Sequence, residues 1–159
     1  MSEPGELSLT LQDHEKALTE ISFLLEILVT TAGEVVGKST PSLGINAGRH
    51  MARKLPLDLA APDLDEVLTA LAQQMAAGYE IQSRLSERGA DVDFGRCAIR
   101  EVCKNRQLPL GGDLCKMFHS YFCGMTAQLL GKPVRVGSIR ADVERCTVEL
   151  QAAKSPVAP

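Results

Sequence analysis

The stretch that most constrains the fold is Gly111 to Gly131, GGDLCKMFHSYFCGMTAQLLG, which reads as one helix. Asp113 has the side chain of an N-cap, able to accept from the free amides of a first turn. Leu114, Phe118, Phe122, Met125 and Leu129 recur at helical spacing, Gly131 is a stop signal and Pro133 forbids a restart. On this helix Cys115, His119 and Cys123 stand at i, i+4 and i+8. Residues four apart share a face at about 6 Å, so Cys115 with His119, or His119 with Cys123, can offer a metal two ligands from one rigid element. The face drifts by roughly 40° every four residues, so all three cannot meet one ion. The plainer alternative is that the cysteines are small buried hydrophobes and the histidine is an ordinary core residue.

The rest of the chain is read around that helix. Residues 1–12 are expected to be a flexible arm, 13–151 a single domain and 152–159 a disordered tail. Asp13 is expected to cap a helix from His14 to about Gly33 whose stripe is Leu18, Ile21, Leu24, Leu25 and Leu28, widened by Phe23 and Ile27. A helix this apolar is either deeply buried or a dimer face. Gly33 to Ser42 reads as a connector. A second helix, about Pro41 to Leu55, carries Leu43, Ala47, Met51 and Leu55 four apart, and Gly44 and Gly48 make a smooth strip for close backbone approach. His50 reads as a surface residue. Asp63 caps a third helix to about Ala77. Tyr79, Ile81, Ser83 and Leu85 then alternate as a strand, SERGAD at 86–91 is a turn, and the partner strand runs from about 91 to 96. A short helix follows Cys97. After Pro133 a second hairpin is expected, its turn within Ser138 to Glu144 and its last strand starting at Cys146. Two hairpins can join into one antiparallel four-stranded sheet, with the N-terminal helices packed on it and the long helix lying between the hairpins in the chain: an α+β domain.

Composition narrows the function. At net charge −3 there is no basic field to draw in nucleic acid or an acidic membrane, and with aromatics at 4% and no Trp there is little to stack bases on. No apolar run approaches the roughly 18 residues of a membrane span, and the acidic start MSEPGELSLT does not resemble a signal peptide. A reduced cytoplasmic setting is therefore expected, in which an odd set of five cysteines argues for metal binding, redox chemistry or burial rather than a disulfide framework. Cys97, Cys103, Cys115, Cys123 and Cys146 are segregated, since the first 96 residues hold none. Thiolates are the usual ligands of zinc and of iron–sulfur clusters. No pair forms a CxxC, so neither a zinc ribbon nor a ferredoxin pattern is present, and Cys115 and Cys123 are roughly 12 Å apart along the helix, too far for one zinc ion. P-loop, GxGxxG and GxSxG motifs are absent. A Cys–His nucleophile built on Cys103 or Cys115 with His119 lacks a third orienting residue. Arg135, Arg140 and Arg145 form a basic patch on the last hairpin, most simply a solvated face.

The run DLCKMFHSYFCGMTAQLLGKPV, followed by ERCTVEL, resembles the 4-vinyl reductase (hydrocarbon-binding) domain, of the superfamily that includes NO-signalling and Golgi-transport ligand-binding domains. The shared pattern is a cysteine opening a helix, a glycine sixteen residues on, and a hairpin whose last strand starts with Cys. GINAGRHMARKL resembles that family's glycine-containing second helix. Cys97 stands where many members have Cys-Pro, but here Ala98 follows. The resemblance implies a small-molecule-binding domain, often a homodimer, with a hydrophobic pocket between helices and sheet and in some members a metal. Cys146 matches the last ligand of the zinc-bearing aromatic sensors. Their hairpin glutamate and middle cysteine are missing from RVGSIRADVERC, so Cys97, Cys103, Cys115 or His119 would have to replace them. The expectation is a cytoplasmic sensor module in which Cys97, Cys115, Cys123 and Cys146 hold zinc or an iron–sulfur cluster beside an apolar pocket, with Cys103 and His119 in reserve; His119 is also the residue that could take a haem. Two other classes stay open. One is a reductase-like or tetrapyrrole-pathway enzyme or accessory protein acting on an apolar ligand; the other is a dimeric interaction subunit with structural cysteines.

Overall fold

The computed structural model describes residues 9–153, so the expected tail beyond that and most of the expected arm lie outside the described residues. Helices α1 (Leu11–Val36), α2 (Thr40–Ala52) and α3 (Leu64–Gln74) precede the hairpin β1 (Tyr79–Ser86) and β2 (Gly89–Cys97). Then come α4 (Ala98–Arg106), α5 (Asp113–Leu130) and the hairpin β3 (Val134–Ala141) and β4 (Cys146–Ala152). The hairpins join edge to edge into one antiparallel sheet of order β1-β2-β4-β3, which is the α+β architecture expected from the periodicities.

The sheet buries one face. Ala90, Val92 and Phe94 of β2 and Cys146, Val148 and Leu150 of β4 point inward, alternating with more exposed residues as the pleat requires. Central helix α5 covers that face and is itself buried on nearly every side, with Asp113 and Lys116 at its exposed start. Phe94, Phe118, Phe122 and Tyr79 form a ring cluster between α5 and the sheet, with centroids 4.8–6.5 Å apart.

Helix α2 crosses the opposite side of α5 at very short range. A Cβ on Gly48 would lie 1.9 Å from the Tyr121 carbonyl, and one on Gly124 would lie 2.1 Å from that of Ile45. The smooth strip therefore serves backbone approach, as expected. It also decides which face is buried: Gly44, Gly48 and Ala52 turn inward, while Leu43, Ala47 and Met51 are exposed.

Several boundaries differ from the sequence reading. Thr10, not Asp13, is the N-cap of α1, and Asp13 is its partner in a capping box, its carboxylate accepting from the Thr10 amide at 2.9 Å. The helix runs through Gly33, and Gly37, at φ 52, stops it. Asp113 is the first helical residue of α5 rather than its cap, which is Gly112 without a side-chain bond. Asp63 caps α3 and the left-handed Gly131 ends α5, as read; Glu66 completes a capping box with Asp63, and α3 stops at Gln74, short of Ala77. Strand β2 starts at Gly89, because only Glu87 and Arg88 turn the chain, and β3 runs on to Ala141 past a register shift between Val136 and Ile139.

The apolar stripe of α1 is not deeply buried. Leu18, Ile21, Leu24, Ile27 and Leu28 are each more than half exposed, and of the whole helix only Ser22 is buried. The helix is held at its side by Arg106 of α4, which bonds Glu26 at 2.6 Å and lies 3.6 Å over the Phe23 ring.

Candidate thiol and imidazole site

Four elements meet below the ring cluster. Strand β2 ends at Cys97, which is also the N-cap of α4; α5 opens with Cys115; β4 opens with Cys146. The β2–β4 register sets Phe94 opposite Cys146, so the end of one strand and the start of the other share one edge of the core. His119, one turn into α5 from Cys115, points its Nε2 at the Cys146 sulfur, 3.1 Å away. Cys103, in the middle of α4, places its sulfur 3.8 Å from that of Cys115. A small cavity of about 10 Å³ is walled by Cys97, Cys115, His119, Cys146, Arg100 and Asp142 together with apolar neighbours. That volume is about one water-sized sphere.

Burial sets the charge states. It pushes the Cys146 thiol up to about 11, helped by neighbouring Cys115 and Cys97, while Arg100 pulls the other way. It also raises Cys97, against the amides of Arg100 and Ile99 and the Arg100 charge. Cys103 is raised by burial and by the Cys115 sulfur beside it. Burial lowers His119 to about 4, so its imidazole is neutral at pH 7. A neutral imidazole has one donor and one acceptor nitrogen. Nε2 is engaged by Cys146, whereas Nδ1, on a residue 2% exposed, has no hydrogen-bond partner. Leaving such an atom unsatisfied costs about 1–3 kcal/mol.

Of the residues singled out from the sequence, the structure brings Cys97, Cys115, Cys146, His119 and Cys103 together. Cys123 is elsewhere: its thiol donates to the Val134 carbonyl at 3.3 Å within the main core, and burial pushes it up to about 11. Among the described residues, no three His, Cys, Asp or Glu side chains already stand around one point as a coordination shell, so the sulfurs would have to converge on an ion. The donor set itself suits a soft or borderline cation, being thiols with a neutral imidazole. The cavity matches one ion; a cluster or a haem would require the walls to open.

Arg100 was not legible in the sequence. It lies in AIREVCKNR, where Glu101 and Lys104 face solvent and Arg106 packs against α1, and the only signal was its position three residues after a strand-ending cysteine. In the structure it is 5% exposed. Arg135, Arg140, Arg145 and His50 are exposed, as read. Among the described residues no helix is long and apolar enough to cross a membrane. No protein-family model matches this chain, and no curated protein sequence matches it.

Proposed function

We propose that this chain is a small-molecule-binding or sensing module whose thiol–imidazole site takes up one thiolate-ligated metal ion, zinc before an iron–sulfur cluster. The observation that carries this reading is the small cavity shared by Cys97, Cys115, Cys146 and a neutral His119 whose Nε2 meets the Cys146 sulfur, with Cys103 beside Cys115. Cys97, Cys115, Cys146 and His119 would hold the ion, and a bound metal would supply a fixed charge and crosslink β2, α5 and β4. The 4-vinyl reductase resemblance agrees with a binding role.

An apolar ligand has a place beside this site. A groove of about 300 Å³ between α1 and α4 is lined largely by carbon, with Leu18, Ile21 and Leu25 on one wall and Ile99 and Val102 on the other. Ile99 also walls the thiol cavity, so α4 touches both. In this reading occupancy of the groove and state of the thiols are felt by one short helix. The exposed row on α1 supports a homodimer, since an apolar stripe of this length is the usual mark of a contact surface.

Anaerobic purification followed by an absorption spectrum and elemental analysis tests the reading. Colourless protein with about one zinc per chain supports it. A broad band near 400 nm with iron and labile sulfide would move the assignment to a cluster. Folded protein that is colourless, metal-free and indifferent to chelator would sink it, leaving an interaction subunit with core cysteines.

A further inference from the structure

Cys103 and Cys115 face each other from two helices. Cys103 sits on α4 and Cys115 on α5, and their sulfurs lie 3.8 Å apart. With Val102 and Leu114 they make a small core of their own, backed by Val29, Ile99, Leu108 and Leu110. Bonded sulfurs stand at about 2.05 Å, so this pair at 3.8 Å must close by roughly 1.8 Å, which rotation of the two side chains can supply. The two thiols are not equivalent. Cys115 is 9% exposed and walls the water-sized cavity beside Cys97, His119 and Cys146, whereas Cys103 is wholly buried and is no part of that wall. The wall also includes Ala141 and Asp142, both exposed, so the cavity adjoins solvent at the β3–β4 turn. A small solute reaching the cavity meets Cys115 directly, and Cys103 only through Cys115. On the same wall the Cys146 sulfur is engaged by His119 at 3.1 Å.

We propose that Cys103 and Cys115 are a reversible dithiol–disulfide pair oxidised by a small peroxide, with Cys115 reacting first and Cys103 resolving it. The Cys115 sulfur takes one oxygen of hydrogen peroxide, the O–O bond breaks, and the thiol proton leaves with the other oxygen as water. The product is a sulfenic acid, which condenses with a neighbouring thiol. The Cys103 sulfur bonds to the Cys115 sulfur, the S–O bond breaks, and the hydroxyl departs with the Cys103 proton as a second water. Two thiols are thus oxidised by two electrons and one peroxide is reduced to two waters. A cavity of about 10 Å³ admits an oxidant little larger than water and excludes a bulky disulfide such as oxidised glutathione. The bond ties α4 to the start of α5. Because Ile99 and Val102 of α4 also line the groove against α1, it places a redox-dependent tie in one wall of that groove. The inference does not rest on the metal reading and concerns the metal-free chain.

The test is oxidation of the reduced, chelator-treated full chain with hydrogen peroxide and, separately, with oxidised glutathione, followed by thiol counting and disulfide mapping by mass spectrometry. The expected result with peroxide is loss of two of the five thiols, a crosslink between Cys103 and Cys115, and full recovery on adding dithiothreitol. Cys103→Ser should lose one thiol and hold a sulfenic acid on Cys115 that dimedone captures on unfolding. Cys115→Ser should keep its remaining thiols over the same interval. Oxidised glutathione should react far more slowly than peroxide. A crosslink joining any other pair, a sulfenic acid on Cys103 in place of Cys115, or five thiols unchanged in excess peroxide would overturn the proposal. Equal rates with the two oxidants would overturn the selection of a small peroxide. Should either serine variant fail to fold, wild type decides: its disulfide map must show Cys103 with Cys115, and dimedone added early must label Cys115.

Discussion

His119 is held neutral by burial at a cost that pH can expose. Its folded-state value, about 4, lies below the ordinary 6.5. The neutral form is the one that folds, so its contribution is fully present above pH 6.5 and is lost as pH falls toward 4, a span worth at most about 3 kcal/mol. Asp13, Asp142 and Glu149, whose carboxyls are held below the usual range by hydrogen bonds, act only at lower pH. Urea midpoints of the metal-free chain at pH 7 and pH 5 should therefore show a drop that His119→Gln largely removes; an equal drop in the variant would show that another group titrates. The pairing of Cys115 with His119 on one helix face was legible in their spacing, as was the exclusion of a three-way set with Cys123. The partner that His119 contacts was not, because Cys146 is 27 residues away and only strand pairing brings it there. Cys123→Ala should leave metal uptake untouched while costing about 1 kcal/mol of stability for the buried sulfur removed.

Helices α2 and α5 depend on glycine where their backbones meet. Gly48→Ala and Gly124→Ala place a methyl group about 2 Å from a carbonyl oxygen, so each should cost at least about 3 kcal/mol or prevent folding. Gly33→Ala meets nothing within 4 Å on the helical path of α1 and should instead stabilise by about 0.5–1 kcal/mol. Thermal melts of the three variants check the contrast, and a neutral Gly48→Ala would mean that the two helices do not cross as described. The five α-helices and four strands could be read from periodicity, since 3.6- and 2-residue repeats are local properties of the chain, whereas the 3-10 turn Gly37–Ser39 fell within a stretch read as a connector. Their ends could not, because a cap is a competition between neighbours: Thr10 and Asp13 both cap well, and of Gly33 and Gly37 only the second takes a positive φ. Which face of α2 is buried was half legible. The glycine strip marked close approach, but the four-residue spacing of Leu43 and Met51 did not show that their face stays exposed because α5 needs the small one.

The whole molecule leaves one surface conspicuously apolar. With Leu24, Ile27 and Leu28 on α1 each more than half exposed, a homodimer through α1 is predicted. Sedimentation should give a dimer for wild type and a monomer for Leu24→Glu with Leu28→Glu, both folded; a monomeric wild type at tens of micromolar would contradict it. The order β1-β2-β4-β3 is what makes the site, because joining the hairpins through β2 and β4 brings Cys97 and Cys146 to the same end as the start of α5. Sequence separation hides that neighbourhood, and it hides Arg100 for the same reason. The central claim, that these thiols and His119 form a metal site, is tested most directly by zinc titration of the reduced, chelator-treated chain against a chromophoric competitor. The account predicts one zinc per chain in wild type and in Cys123→Ala, and little or none in Cys115→Ser or Cys146→Ser that remain folded. Uptake that is absent from wild type, or lost with Cys123 and retained without Cys146, would contradict it.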